Sequence, residues 1–512
     1  MTPRTLPFGE RAVLAEVDAL ADVLALHARL TASRPAGVID LVPAARTVLV
    51  VVDPTVLSLS ATRAWIADGA DAAVEVHPGA SVVLPITYDG EDLAAVASEL
   101  GMSVHALIAR HAAAEWTVAF TGFAPGFGYL VSPDWPVHVP RRATPRARVP
   151  AGSVGLAGEF TGAYPRATPG GWQLIGMTRA ALFDPAAGLA VLAPGMRVRF
   201  TPASPAPLSV AALPASDPLP ADSSSADRGD VRVVATGALA TIQDQGRSGH
   251  LAEGIARSGA ADRAALRTAN RLVGNDEAAA GIEITMGGLR VRARRHLWIA
   301  ITGAWGPIRI DGREVSAYGA HPWPADTELH IDAFTRGARG YLAVRGGIGG
   351  PQVAGSRATD RLAGLGPRPL ADGDELRLDD AAIADIPSLA LQPWGPPEDA
   401  VITVELAPGP RADWFGSATA LFDTVWTVST AADRAGIRLE GPPLERIRAG
   451  EIPSEGMLPG AVQVPHDGRP VILGPDAPVT GGYPVIAVAT DRARDLLAQA
   501  RPGTRVRFRH AH

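Results

Sequence analysis

Between residues 118 and 178, glycine and proline alternate with aromatic and arginine side chains so densely that no helix can run through the segment. It reads AFTGFAPGFGYL over 119–130, PRRATPRARVPAGSVG over 140–155 and TGAYPRATPGGWQLIGMT over 161–178. Short strands joined by tight turns are the only regular structure such a stretch supports. Gly122 and Gly126, flanking Pro125, permit sharp turns or close backbone approach, and Phe127 and Tyr129 supply large flat faces for burial or contact. Arg141, Arg142, Arg146 and Arg148 place four fork-shaped donors within eight residues, a geometry suited to carboxylates and phosphates. Two readings stand open: solvated arginines along the edge of a β domain, and a small-molecule anion site.

The segment is also half of an internal repeat. VPAGSV (149–154), TGAYP (161–165) and PGMRVRF (194–200) recur in order as LPGAV (458–462), TGGYP (480–484) and PGTRVRF (502–508). Three landmarks in sequence point to one β fold used at least twice.

Around the repeat, periodicity marks the remaining elements. Residues 10–31 read as a helix with Val13, Leu14, Val17, Leu20, Val23, Leu24 and Leu30 on one face. Strands are expected at 37–41, 47–52 and 81–88, and helices at 60–69, 91–100 and 103–114, the last with Ser103 as N-cap. Residues 201–230 are rich in Pro, Ala and Ser without periodicity and read as a linker. A strand at 231–236 and a helix at 262–273 open the second half, short strands dominate 281–378, and a weaker linker is expected near 386–399. The expected fold is α+β, mainly β. A small α/β domain occupies 1–88, a β-barrel 89–202, a linker 203–229, and two further β-barrel subdomains 230–512.

Composition excludes several chemistries. The 512 residues include no cysteine, so disulfides, thiolate metal sites and cysteine nucleophiles are ruled out. Lysine is also absent, so all 47 basic residues are arginine. This removes biotinyl-lysine, Schiff-base lysine and the P-loop lysine. A net charge of −6 gives no electrostatic reason to expect nucleic acid or an anionic membrane. No apolar run approaches a membrane span, and the N-terminal residues lack the apolar core of a signal peptide, so a cytoplasmic protein is expected. There is no H-E-x-x-H, no G-x-S-x-G and no Walker motif, and no metal site is expected. The glycine run 346–350 follows a strand without opening a helix, a weak pattern for phosphate binding.

GFAPGFGYL, with PRRATPRARVPAGSVG, TGAYP and PGGWQLIG, resembles the family called KipI-like, the first component of allophanate hydrolase, or the B component of 5-oxoprolinase. The turn-rich stretch at 241–262, with ANRLVGN (269–275), IEITMGG, YLAVRGGI, GSRAT, DRAGIRLEG, PSEGMLPGAVQVP and VTGGYP, resembles the partner family: KipA-like, the second component of allophanate hydrolase, or the C component of 5-oxoprolinase. The chain is therefore similar to a fusion of both. The resemblance implies cyclophilin-like β-barrels for the repeated units and an architecture of the carboxyltransferase type. It implies three activities: ATP-dependent hydrolysis of 5-oxo-L-proline to L-glutamate with a separate lactam-opening A-type subunit, carboxyl transfer in urea carboxylation with a separate biotinylated carrier, and inhibition of a histidine kinase. The first needs fewest added parts and is expected here, with the chain inactive without its partner. ATP, with or without magnesium, is implied as cofactor and a small amide as substrate, and self-association is left open.

Candidate site residues are polar groups set in glycine- and proline-rich turns. Asp244, Glu455 and Asp476 are the candidate catalytic carboxylates, suited as general bases toward an amide or ureido nitrogen if buried. Arg141, Arg142, Arg146, Arg148, Arg247, Asn270, Gln463 and Tyr483 are candidates for holding substrate or phosphate. Ser258, Asp262 and Glu283 fall in the same motifs, although Asp262 suits a helix cap and Glu283 a loop tie. His250, a lone turn histidine, suits a structural role better than a catalytic one.

Overall fold

The computed structural model describes residues 3–68, 80–185, 188–203, 229–388, 395, 397, 400–417, 419–448, 450 and 452–511. The linker expected at 203–229 falls almost wholly outside them, as does much of the weaker one at 386–399.

The N-terminal domain is a four-stranded antiparallel sheet in the order Arg4–Phe8, Ala12–Glu16, Thr47–Val52, Val38–Pro43. Thr47–Val52 forms where the valine run predicts it, buried along its whole length. The helix expected over 10–31 is shorter: Leu20–Ala32 is helical, but Ala12–Glu16 is a strand paired with both Arg4–Phe8 and Thr47–Val52. Ala12 to Ala15 are buried on both faces of the sheet, which erases the alternation that marks a half-buried strand and leaves a run a helix could also show. One sheet face packs against helices Leu20–Ala32 and Leu59–Asp68. The other packs against Met457, Ala461, Leu473, Val485 and Val488, more than 400 residues further along.

The first barrel begins at Ser81, before the expected boundary at 88/89. Strand Ser81–Ile86 pairs in parallel with Arg197–Pro202, which also pairs antiparallel with Trp116–Gly122. These belong to a seven-stranded sheet whose outer strands meet at a bridge between Thr87 and Met177, rolling it into a barrel. Helices Leu93–Glu99 and Val104–Ala113 cover its core, the latter capped by Ser103, whose hydroxyl accepts from Ala106 N. Among the described residues no single helix is long and apolar enough to cross a membrane.

The second half divides into a sandwich and a barrel instead of two barrels. A six-stranded and a five-stranded sheet share one core through Val231, Val291, Ile282, Ile301 and Leu342. Helix Arg263–Leu272 lies on the outer face of the five-stranded sheet. Its N-cap is Asp262, which accepts from Ala265 N at 2.9 Å. The C-terminal unit is a closed seven-stranded barrel.

The two barrels place the repeated RVRF strand alike. In each, the RVRF strand runs parallel to the unit's first strand and antiparallel to its second: Arg197–Pro202 with Ser81–Ile86 and Trp116–Gly122, and Arg505–His510 with Val401–Pro408 and Val425–Val428. Trp116 faces Val198 and Trp426 faces Val506. Each indole N–H donates to the carbonyl five residues earlier, of His111 at 3.1 Å and Leu421 at 3.0 Å.

His111 is the polar group of the first barrel's core. Its ring nitrogens meet Tyr88 Oη at 2.8 Å and Thr161 Oγ1 at 3.0 Å, and burial pulls its pKa down to about 3. A histidine that is neutral when folded and titrates near 6.5 when unfolded binds a proton only in the unfolded chain as pH falls below 6.5. Stability therefore drops by about 1.4 kcal/mol per pH unit from that point toward pH 3. Urea melts between pH 7.5 and 5 should show this loss, and in His111→Gln the pH dependence should shrink by that one-proton slope.

Candidate active site at the junction of the two halves

The glycine- and proline-rich turn of the first barrel abuts the second barrel. A Cβ on Gly122 would lie 2.0 Å from Thr480 Oγ1, so only glycine allows this approach. Next to it Phe123 holds a left-handed backbone, φ 64°, and its N–H reaches Thr480 Oγ1 at 3.3 Å. A bulky residue in that conformation is strained and is retained only where its surroundings demand it. Here they do, because Phe123 packs edge-on against Phe127 and Tyr164, which join Tyr129 and Trp172 in one aromatic cluster. Gly126 (φ 80°) brings the turn against the Leu182 carbonyl. Thr121 Oγ1 donates to Ala252 O at 2.5 Å, and Ala45 N to Ser454 O at 3.0 Å.

Beside this seam lie two buried arginine–carboxylate networks. In the first, Arg411 binds Glu455 through Nε (2.9 Å) and Nη2, and reaches Glu16 of the N-terminal sheet at 2.6 Å. Glu455 Oε2 has no partner among the described residues, and burial raises the carboxyl's pKa despite Arg411. In the second, Arg434 makes a two-pronged contact with Asp476, Nε and Nη2 each at 2.8 Å, and binds Glu283 through Nη1 at 2.7 Å. Asp476 also accepts from Ser258 Oγ at 2.7 Å, and Glu283 from Tyr341 Oη at 2.8 Å and Ala261 N at 2.9 Å. Burial pushes Glu283 up, but Arg434 and Arg339 outweigh it and hold the carboxyl below its usual range. Asp262 is pushed up to about 7 by burial and by Asp495.

A third group adjoins the second. Asp244 is fully engaged as a loop clamp, accepting from Gly246 N, Ser356 Oγ and Arg357 N at 2.8, 2.6 and 2.6 Å. Arg247 spends Nε and Nη2 on the carbonyls of Val353 and Ala358 and leaves Nη1 buried without a partner among the described residues. Nearby Asp360, which lies outside the residues expected from sequence, has an Oδ2 without a partner among the described residues and is pushed up to about 6 by burial and by Asp476. Of the three candidate catalytic carboxylates, Asp244 and Asp476 are tied down by donors. Glu455 retains an oxygen and a proton affinity suited to acid–base work, and Asp360 joins it.

The other predicted residues separate. Arg142 and Arg146 both bind Asp92, at 2.9 and 2.8 Å, so they clamp the barrel's strands to its helices instead of waiting for a ligand. Arg141 and Arg148 are exposed. Asn270 is consumed by its own loop, donating to Ala279 O at 2.8 Å and accepting from Asn275. Gln463 Oε1 lies beside Gly481, and Tyr483 stacks edge-on with His466, 5.7 Å between centroids. His250 pairs with Glu253 in the turn. Within the 346–350 run, Gly346, Gly347 and Gly349 donate to Asn275 Oδ1, Val344 O and Arg377 O, so those amides are not presented to a phosphate. Neither that loop nor the Arg142–Arg146 pair fits a nucleotide phosphate. Among the described residues no group of three or more histidines and carboxylates is arranged to hold a metal ion.

Comparison with known proteins places this geometry. The family "carboxyltransferase domain, subdomain C and D" matches residues 3–192, and "carboxyltransferase domain, subdomain A and B" matches 253–510. The chain is 38% identical to the C component of 5-oxoprolinase from Escherichia coli K12 over 285 residues, 54% of this chain and 90% of that protein. It is 51% identical to the B component of 5-oxoprolinase from Escherichia coli O157:H7 over 125 residues, 24% of this chain and 57% of that protein. The crystal structure of TTHA0988 superposes with a TM-score of 0.86 at 35% identity, covering 98% of this chain and 99% of that one. The Kluyveromyces lactis urea amidolyase shows a lesser likeness, TM-score 0.52 at 26% identity, over 56% of this chain and 19% of its own length.

The two clamps differ in what their loss should cost. Arg434→Met leaves buried Asp476 without its cation and Glu283 with only Arg339, at 3.6 Å, and should lower stability by about 3–5 kcal/mol. Arg142→Gln leaves Asp92 with Arg146 and should cost under about 1 kcal/mol. Paired urea denaturation curves check both.

Proposed function

The chain belongs to the carboxyltransferase-domain family, with its C and D subdomains preceding its A and B subdomains in one polypeptide, and from that premise we propose that it is the fused B–C component of an ATP-dependent 5-oxoprolinase. With a separate lactam-opening A-type subunit it converts 5-oxo-L-proline to L-glutamate. The observation that carries this reading is the presence, in one chain, of stretches similar to both the B and the C components of that enzyme. Their junction is a continuous buried interior crossed by Arg411–Glu16 and Phe123–Thr480 contacts, as a single working unit requires.

Opening a lactam needs a carbonyl made electrophilic, a water deprotonated and a leaving nitrogen protonated. The groups of this chain suited to moving a proton are Glu455 and Asp360, whose proton affinity is raised by burial. Arg247, whose Nη1 has no partner among the described residues and whose charge acts on Asp360, is suited to a carbonyl or carboxylate oxygen. ATP consumption, any magnesium and a cytoplasmic setting are assigned to the assembled complex. A second reading, a carboxyltransferase component acting on urea, is favoured by the likeness to urea amidolyase. It would require a biotinylated carrier from elsewhere, because this chain contains no lysine.

Mixing the purified chain with an A-type partner, 5-oxoproline and ATP should release glutamate only when all are present. Glu455→Gln should slow release by about 10²-fold, the usual weight of a general acid or base, while complex formation persists. No release from a verified complex would overturn the reading, and urea-dependent ATP turnover with a biotinylated carrier would put the second in its place.

A further inference from the structure

A cleft of about 70 Å³ opens where the N-terminal sheet, the 245–257 loop and the second barrel meet. Its walls include Arg11, Arg247, Arg257, Arg494, Glu10, Asp40 and Asp491, over an apolar floor that includes Phe8. The arginines here outnumber the carboxylates available to pair with them. Asp491 is shared by three guanidiniums: Arg11 at 2.5 Å, Arg263 at 2.9 Å and Arg494 at 3.3 Å. Asp495 is 3.7 Å from Arg263. Asp40 is occupied otherwise, accepting the backbone N–H groups of Gly249 and Leu251 at 3.0 and 3.2 Å. Arg257 has a single hydrogen bond, from Nε to Gln245 O at 3.4 Å, and no ion pair among the described residues.

An arginine brought this far out of water is stabilised by a paired anion, and its remaining forked N–H groups suit the two oxygens of a carboxylate or phosphate. The surroundings respond as a cation cluster does. Burial first, then the like charge of Arg263, lowers Arg494 to about 9 against the pull of Asp491. A surplus of solvated surface arginines would be spread over a convex face, whereas these converge in a concavity with apolar walls.

We propose that this cleft binds a small oxyanion, a phosphate or carboxylate group, with Arg257 as its principal ligand and Arg11 and Arg494 reinforcing it. Arg247, given a role in the 5-oxoprolinase reading, also lines this cleft, so the site adjoins the one in that reading, and its own test is a binding measurement that needs neither partner nor turnover.

Calorimetric titration of the full chain with inorganic phosphate, and separately with L-glutamate, in low-chloride buffer tests it. Saturable one-to-one binding of either anion is expected, weakening as salt rises. Phosphate binding alone identifies a phosphate site, and glutamate binding alone a carboxylate site. Arg257→Gln should weaken binding about tenfold or more, with Arg257→Lys retaining part of it because the charge stays and the fork is lost. The melting temperature of Arg257→Gln should stay close to that of the parent, and if that variant fails to fold, Arg11→Gln makes the same test, since Asp491 keeps two other arginines. Absence of saturable binding for both anions, or unchanged affinity in a folded Arg257→Gln or Arg11→Gln protein, would overturn the proposal.

Discussion

The N-terminal sheet has no face left for water, and the rest of the architecture follows from that. Its own helices cover one side and the second barrel covers the other. Leu14, Leu49 and Val51 pack on residues of a domain that begins near 401. Each such large apolar side chain withdrawn from water is worth about 1.5–3 kcal/mol, so pulling the halves apart would open a core, not a surface contact. The association thus rests on burial between distant parts of the chain, and the segment joining the two halves has no need to hold them in register.

Polar groups then fix which arrangement of that apolar surface is adopted. A buried guanidinium is tolerated only where several acceptors converge, and Arg434 finds four: Asp476, Glu283, Gly259 O and the Ser258 hydroxyl. These come from the sandwich and the second barrel, so the network forms only when the two are docked correctly. Arg411 does the same between the second barrel and the N-terminal sheet. Forked donors serve both junctions, and a lysine's point charge could not satisfy two carboxylates with such geometry. Displacing either domain leaves uncompensated charge in a dry interior, a larger penalty than the paired state's own contribution to stability.

What the sequence revealed was local. The valine run at 47–52, the Ser103 and Asp262 caps and the repeated RVRF strands each carry their signal within a few residues, and each forms as expected. The strand at Ala12–Glu16 was misread because it is buried on both faces, one by its own domain's helices and the other by a domain 400 residues away. The same distance hid the chemistry. Asp476 and Glu455 are visible as candidate carboxylates, but their arginine partners lie 42 and 44 residues upstream, and only the fold shows that one is saturated and the other retains an oxygen. Likewise nothing near Arg142 and Arg146 announces that Asp92, 50 and 54 residues earlier, already occupies them. Asp360 immediately follows the GSRAT motif, so its place in a turn was legible while its burial was not.

The repeat shows how one fold comes to do two jobs. Thr161 and Thr480 open the same landmark, TGAYP in the first barrel and TGGYP in the second. Thr161 turns inward, where its hydroxyl meets His111 and donates to Gly155 O in the sealed core. Thr480 faces across the junction, where its hydroxyl takes the Phe123 N–H and its position demands a glycine opposite. Thr161 lies in a strand of the barrel sheet, paired with Ser153–Ala157, whereas Thr480 lies in a two-stranded ribbon with Glu455–Gly456, so the copies differ both in local pairing and in what each is packed against. The first copy keeps its polar threonine to complete its own interior, and the second uses it to receive the strained turn of the first. The junction is therefore a property of the docking between copies, and residues at the contact shape it while the barrels supply the frame.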